Sequence, residues 1–151
     1  MQQIRFTKEG YEKLKKDYED LLKTRPDAVE HLKKARDMGD LSENGYYKAS
    51  KSKLSFIDVT LRKLSWELKQ AVIIETKNLT TVDIGNKVTL NDGKKEIVYQ
   101  IVGDLEANPS QGKLSLLSPL GRAIAGKQVG ANVEIITPAG TITYKITTIS
   151  A

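Results

Sequence analysis

The stretch ARDMGDLSENGYYKASK, Ala35 to Lys51, lies between two long runs of helical periodicity, and its reading decides the fold. Gly39 is suited to ending a helix in a left-handed conformation. Beyond it, Asp40 with Glu43 matches the D-x-x-E capping box that opens a second helix, and Ser42 or Asn44 could cap instead. Around these acids sits a collar of cations: Lys33, Lys34, Arg36, Lys48, Lys51 and Lys53. A turn needs polar residues but not that collar. Two carboxylates three residues apart at a helix start can point the same way and offer hard oxygen ligands suited to Mg²⁺. They are too few for a dedicated cage, yet enough to complete a site half supplied by another molecule. The cations would then hold phosphates nearby. Spacing leaves both accounts open.

Upstream of the turn, Tyr11, Leu14, Tyr18 and Leu21 step by 3, 4 and 3, with Thr7 placed to cap. Pro26 removes a helix hydrogen bond and predicts a kink, after which Val29, Leu32 and Ala35 share a face. Downstream, Tyr47, Ser50, Leu54, Ile57, Leu61, Leu64, Leu68 and Ala71 keep a heptad throughout. Two such segments joined by a few residues bury their seams against each other as an antiparallel hairpin. Helices of ~30 residues make a rod of roughly 45 Å. Charged residues away from the seam lead us to expect no second apolar face.

After Asn78 the pattern changes to alternating β-branched runs: KVTL, EIVYQIVG, KLSLLS, VEIITP and TITYKITTI. They are punctuated by turn signals such as Asn91-Asp92-Gly93 and Pro138-Ala139-Gly140. Within SPLGRAIAGKQVG, Ser118 to Gly130, Ser118 can cap a short helix, Pro119 fits its first turn and Gly126 can end it. The expected fold class is α+β: a coiled-coil hairpin over 1–75 with its tip at 39–44, a linker at 76–82 and a small β-rich domain over 83–151.

Composition supports two small units. Of 151 residues, 39% are hydrophobic and only 6% aromatic, thin for one compact globule. The absence of cysteine excludes disulfides, thiolate nucleophiles and Cys-based zinc sites. Net charge is +5, and residues 1–78 carry 17 Lys/Arg against 13 Asp/Glu, which permits a polyanionic partner without requiring one. The opening MQQIRFTKEG has no apolar core and no run approaches a membrane span, so no membrane partner and a cytoplasmic location are expected. His31, the only histidine, lacks a serine or cysteine partner in sequence and reads as a surface residue. The acids of GDLEAN read as turn residues. Trp66, off the seam, is expected at the base of the hairpin or against the second domain.

GDLSEN-x-x-Y, Gly39 to Tyr47, resembles the tip of the bacterial Gre transcript-cleavage factors. The opening TKEGYEKLKKDYEDL, RPD at 25–27, IVGDLEAN, LSLLSPLGRAIAGKQVG and the ending VEIITPAGTITYKITTI agree with the same family in order. The resemblance implies an FKBP-like second domain. It implies a monomer that binds bacterial RNA polymerase through that domain, for which Ser118, Pro119, Leu120, Gly121 and Arg122 are the candidate contacts. The hairpin is then expected to enter the polymerase secondary channel and act on the RNA 3′ end extruded by backtracking. On this resemblance Asp40 and Glu43 are the acids that help hold a second Mg²⁺ and its attacking water, shared with the polymerase. Ser42, Asn44, Tyr46 and Tyr47 support them, and Arg36 and Lys51, with Lys48 and Lys53, face the RNA. The chain is then a cofactor of the polymerase's hydrolysis rather than an enzyme.

Two departures stand out. Tyr46 occupies the place where the family commonly has an acid, adding a ring able to stack on a base. Lys51 stands where an arginine is common and loses bidentate phosphate geometry. A regulator that fills the channel without cleaving is the alternative. Prolyl isomerase activity, suggested by the FKBP-like fold, is disfavoured because Phe6, Phe56 and Trp66 all lie in the helical half, leaving the second domain only Tyr99 and Tyr144.

Overall fold

The computed structural model describes residues 3–39, 44–75 and 79–151, and the chain divides into two compact units, Glu12–Gln70 and Met1–Tyr11 with Ala71–Ala151. The first unit is the expected helical hairpin, formed by α1 (Lys8–Arg36) and α2 (Gly45–Gln70). Antiparallel pairing follows from who meets whom: Ala28 packs with Ile57 and Leu61 in a cluster joined by Tyr18, Leu21 and Leu54. Across the same seam Arg25 Nε donates to Asp58 Oδ1 at 2.7 Å.

The α2 heptad is buried or half-buried at every position from Tyr47 to Leu68. In α1 the helix runs unbroken through Pro26, and the first-turn heptad keeps its phase across it. The seam therefore continues as Arg25, Ala28, Leu32 and Ala35. Val29, assigned to the seam by sequence, is exposed at 39%, whereas Ala28 is buried. The outer face of α2 is also less uniformly charged than expected, since Phe56, Val59 and Trp66 are exposed there.

The heptad reading overran the end of α2. The helix stops at Gln70, and Ala71–Ile73 form strand β2, paired in parallel with β1 (Ile4–Phe6). Parallel strands need a crossover connection, and here the whole hairpin is that crossover. The β-branched Val72-Ile73-Ile74 run favours strand over helix once a partner is present, and the Ile74 N–H continues the pairing by donating to the Phe6 carbonyl at 2.8 Å.

The second unit is built on five further strands: β3 (Lys87–Asn91), β4 (Glu96–Val102), β5 (Lys113–Ser115), β6 (Asn132–Thr137) and β7 (Gly140–Ser150). Their order is β5-β4-β3-β7-β6, with β4 and β5 parallel and the other pairs antiparallel. Between Thr89 and Leu90 the register shifts, leaving Thr147 of β7 as an extra residue opposite β3. Val88, Leu90, Ile101, Val133 and Ile146 line the buried face, and Ile124 of helix α3 (Pro119–Ile124) joins them. The fold class read from sequence, a helical hairpin followed by an α+β domain with one helix, is the one observed. No helix among the described residues is long and apolar enough to cross a membrane.

The acids of the GDLEAN turn do more than shape it. Asp104 accepts from the Arg5 N–H at 2.8 Å and from its guanidinium at 2.9 Å. The Asp104 N–H returns a bond to the Arg5 carbonyl at 2.8 Å. Glu106 accepts from the Thr7 N–H and the Gly103 N–H, each at 2.8 Å, and from the Thr7 hydroxyl. Thr7 Oγ1 in turn caps α1 by accepting from the Gly10 N–H at 3.1 Å. Both strand β1 and the start of α1 are thus tied to this turn, and side chains at Gly10 and Gly103 would collide with the Glu106 carboxylate.

Candidate functional site

The connection between α1 and α2 is closed by one side chain. Asn44 Oδ1 accepts from the Tyr47 N–H at 3.0 Å, capping α2, while its Nδ2 donates to the Ala35 carbonyl at 3.0 Å. Both groups belong to helix ends, an orphan donor at the start of α2 and an acceptor at the end of α1 that also takes the Met38 N–H. Beyond Arg36 the chain turns through Asp37 and Met38, whose N–H groups bond back to Lys33 and Ala35, and Gly39 adopts the expected positive φ of 113°.

Of the caps that the sequence left open, Asn44 is the one used: α2 starts at Gly45, and neither Asp40 nor Ser42 precedes it directly. Asn caps as well as Asp does, and Asn44 alone also reaches the Ala35 carbonyl as a donor. The N-cap of α2 is thus supplied by Asn44. Asp40, Ser42 and Glu43 themselves lie outside the described residues. Among the described residues no group of three or more His, Asp or Glu side chains is placed to hold a metal ion.

The heptad frame sorts the remaining candidates. Arg36 and Lys51 each follow a seam residue, Ala35 and Ser50, and so lie on one flank of the hairpin. Tyr46 and Lys53 each precede a seam residue, Tyr47 and Leu54, on the other flank, and His31 precedes Leu32 on that same side. All are exposed, with Tyr46 at 46%. Lys48 is exposed on the outer surface of α2. None of Arg36, Lys48, Lys51 and Lys53 forms an ion pair among the described residues. Tyr47 is half-buried in the seam.

Tyr46 and Lys53 line one cleft, about 240 Å³, with Ala28, His31, Ala49 and Ser50. Small residues at facing positions leave this gap in the seam, which is why sequence inspection, scoring one helix at a time, gave no sign of it. His31 and Ser50 enter the site only through the fold.

In the second unit, the five residues Ser118 to Arg122 divide by role. Ser118 Oγ caps α3 by accepting from the Gly121 N–H at 3.0 Å and donates to the Ser115 carbonyl at 2.7 Å. Gly121 is buried, and any side chain there would collide with the Ser115 carbonyl. Leu120 packs on the core. Pro119 and Arg122 are exposed and, with Leu117 beside them, form the part of this segment open to a partner. Tyr99 and Tyr144 pack against the core, and burial pushes the Tyr99 phenol up from its ordinary value.

Residues 4–73 match the model of the transcription elongation factor N-terminal domain, and residues 76–151 match that of the GreA/GreB C-terminal domain. The transcription elongation factor GreA of Neorickettsia sennetsu is 40% identical over 151 residues, covering 97% of this chain and 95% of the relative. GreA of Paracoccus denitrificans is 37% identical over 153 residues, covering 99% and 98%. Among solved structures, the GreA factor homolog 1 (Gfh1) of Thermus thermophilus is 27% identical with a TM-score of 0.47, covering 99% of this chain and 100% of that one. Both units of the fold are thus matched in chain order by one family, and the chain belongs to the GreA/GreB transcription elongation factors.

Proposed function

We propose that the chain stimulates cleavage of backtracked RNA by bacterial RNA polymerase, with the distal end of its hairpin placed in the secondary channel. The observation that carries this reading is the Asn44 cap. With α2 capped and Ala35 held by Asn44, capping of α2 does not call on Asp40 or Glu43, which supports giving these two acids another task. Two carboxylates are a donor set suited to sharing Mg²⁺ with a second molecule's site. The chemistry such an ion supplies is activation of water and neutralisation of phosphate charge. The chain's own residues do the rest: Asp40 and Glu43 present oxygen donors, Asn44 fixes the helix end beside them, and Arg36 and Lys51 attract the RNA backbone along one flank. Polymerase would be held through the exposed Pro119 and Arg122 of the second unit. In this role the protein acts as a cytoplasmic monomer and a cofactor, the bond-breaking centre being the polymerase's.

Tyr46 favours a second reading, in which the chain fills the channel without promoting cleavage, because a ring stands where an acid is common in the family. Release of short 3′ fragments from a backtracked elongation complex separates the two. Stimulated release supports the cleavage role, and binding with no release supports the second reading.

A further inference from the structure

The cleft on the flank of Tyr46 has a composition that a mere packing defect does not require. It is lined by the buried, apolar Ala28, by Ala49 and by the exposed Tyr46, Lys53 and His31. Ser50 also lines it, and this residue is only 8% exposed. Its hydroxyl has no hydrogen-bond partner among the described residues. A buried hydroxyl left unpaired costs roughly 1–3 kcal/mol, so such groups ordinarily have a partner. The side chains of Tyr46, His31 and Lys53 form no hydrogen bond or ion pair among the described residues either.

A flat apolar-faced ring, a hydrogen-bonding edge and a negative charge nearby are the three features this set complements. Together they describe a nucleotide. Stacking on an aromatic ring takes any base, a hydroxyl can donate to or accept from a base edge, and a lysine serves phosphate as a point charge. At about 240 Å³ the cleft is smaller than the roughly 300–1,000 Å³ of pockets for drug-sized ligands, which suits one ring system. We propose that this cleft binds one base of single-stranded RNA, stacked on Tyr46, hydrogen-bonded to Ser50 and with its phosphate toward Lys53. The inference rests on the cleavage reading for what brings RNA to the hairpin, and it assigns RNA to both flanks rather than to the Arg36–Lys51 side alone.

His31 is the only histidine in the chain, so its imidazole resonances report on the cleft without overlap. The experiment titrates the full chain with pentauridylate and, separately, with inorganic phosphate. A saturable shift of the His31 signals with the oligonucleotide is expected. Tyr46→Leu, which keeps an apolar cover but removes the ring, should weaken it at least about fivefold, as loss of one stacked base implies. Ser50→Ala should weaken it too, and unchanged helicity of both variants would show that the hairpin remains. No saturable shift, or one indifferent to Tyr46→Leu, would overturn the proposal. So would inorganic phosphate binding as tightly as the oligonucleotide, which would mark an anion site only. A parent that releases RNA fragments from polymerase while its cleft ignores pentauridylate loses the cleft and keeps the cleavage role. A filled cleft on a chain that releases nothing does the reverse.

Discussion

Asn44 and Ala35 join the two helices of the hairpin: the Asn44 amide donates to the Ala35 carbonyl at 3.0 Å, and its oxygen caps α2 from the same side chain. Replacing Asn44 by Ala removes both bonds. A lost cap costs about 1 kcal/mol, and loss of the second bond to the Ala35 carbonyl, which keeps the Met38 N–H, about 1 kcal/mol or less. Asn44→Asp keeps the acceptor but cannot donate to Ala35, so it should fall between the two. Urea unfolding orders the three proteins. Parent-like stability of Asn44→Ala would show that the clasp contributes nothing.

Glu106 satisfies three donors at the start of α1 and in its own turn. Glu106→Ala leaves the Thr7 and Gly103 N–H groups without their acceptor, at a cost of about 1–3 kcal/mol. The parent and this variant should differ in urea midpoint, whereas a change at exposed Glu96 should not move it. Equal midpoints for the parent and Glu106→Ala would reduce the turn to a mere connection.

The hairpin seam should also respond to acid. The hydrogen bond from Arg25, with its positive charge, holds the Asp58 carboxyl below its ordinary value, although desolvation opposes this. A carboxyl whose folded value is depressed adds stability above its unfolded value, near 3.9, and loses it as pH falls through the folded one. Thermal unfolding at pH 5 and below should therefore show a steeper decline for the parent than for Asp58→Asn. The pair is exposed, so added salt should shrink the difference. Parallel curves at low salt would contradict the coupling.

What the sequence disclosed depended on how far each signal reached along the chain. The heptad of α2 was legible because Tyr47 to Leu68 never breaks step. In α1, Pro26 predicted a kink and Val29 was placed on the seam face; the helix instead runs on through Pro26 with Ala28 buried and Val29 exposed. Strands β1 and β2 are three residues each and find their partner across the whole hairpin, so no local pattern marks them. Asp40-x-x-Glu43 and Asn44 were equally good caps on paper. Only the observed start of α2 at Gly45 chooses between them. The cleft was illegible for a related reason, since its walls come from two helices and its volume from what Ala28, Ala49 and Ser50 lack.

With Asn44 as the cap, Asp40 and Glu43 should be separable from folding altogether. The most direct measurement uses a stalled, backtracked RNA polymerase complex with labelled RNA and Mg²⁺, to which the parent or the Asp40→Asn/Glu43→Gln double variant is added. Helicity and polymerase binding of both are recorded alongside. The expected result is release of short 3′ fragments by the parent, and loss of most of that release by a variant that still folds and binds. Equal release by both proteins would contradict the role given to the two carboxylates.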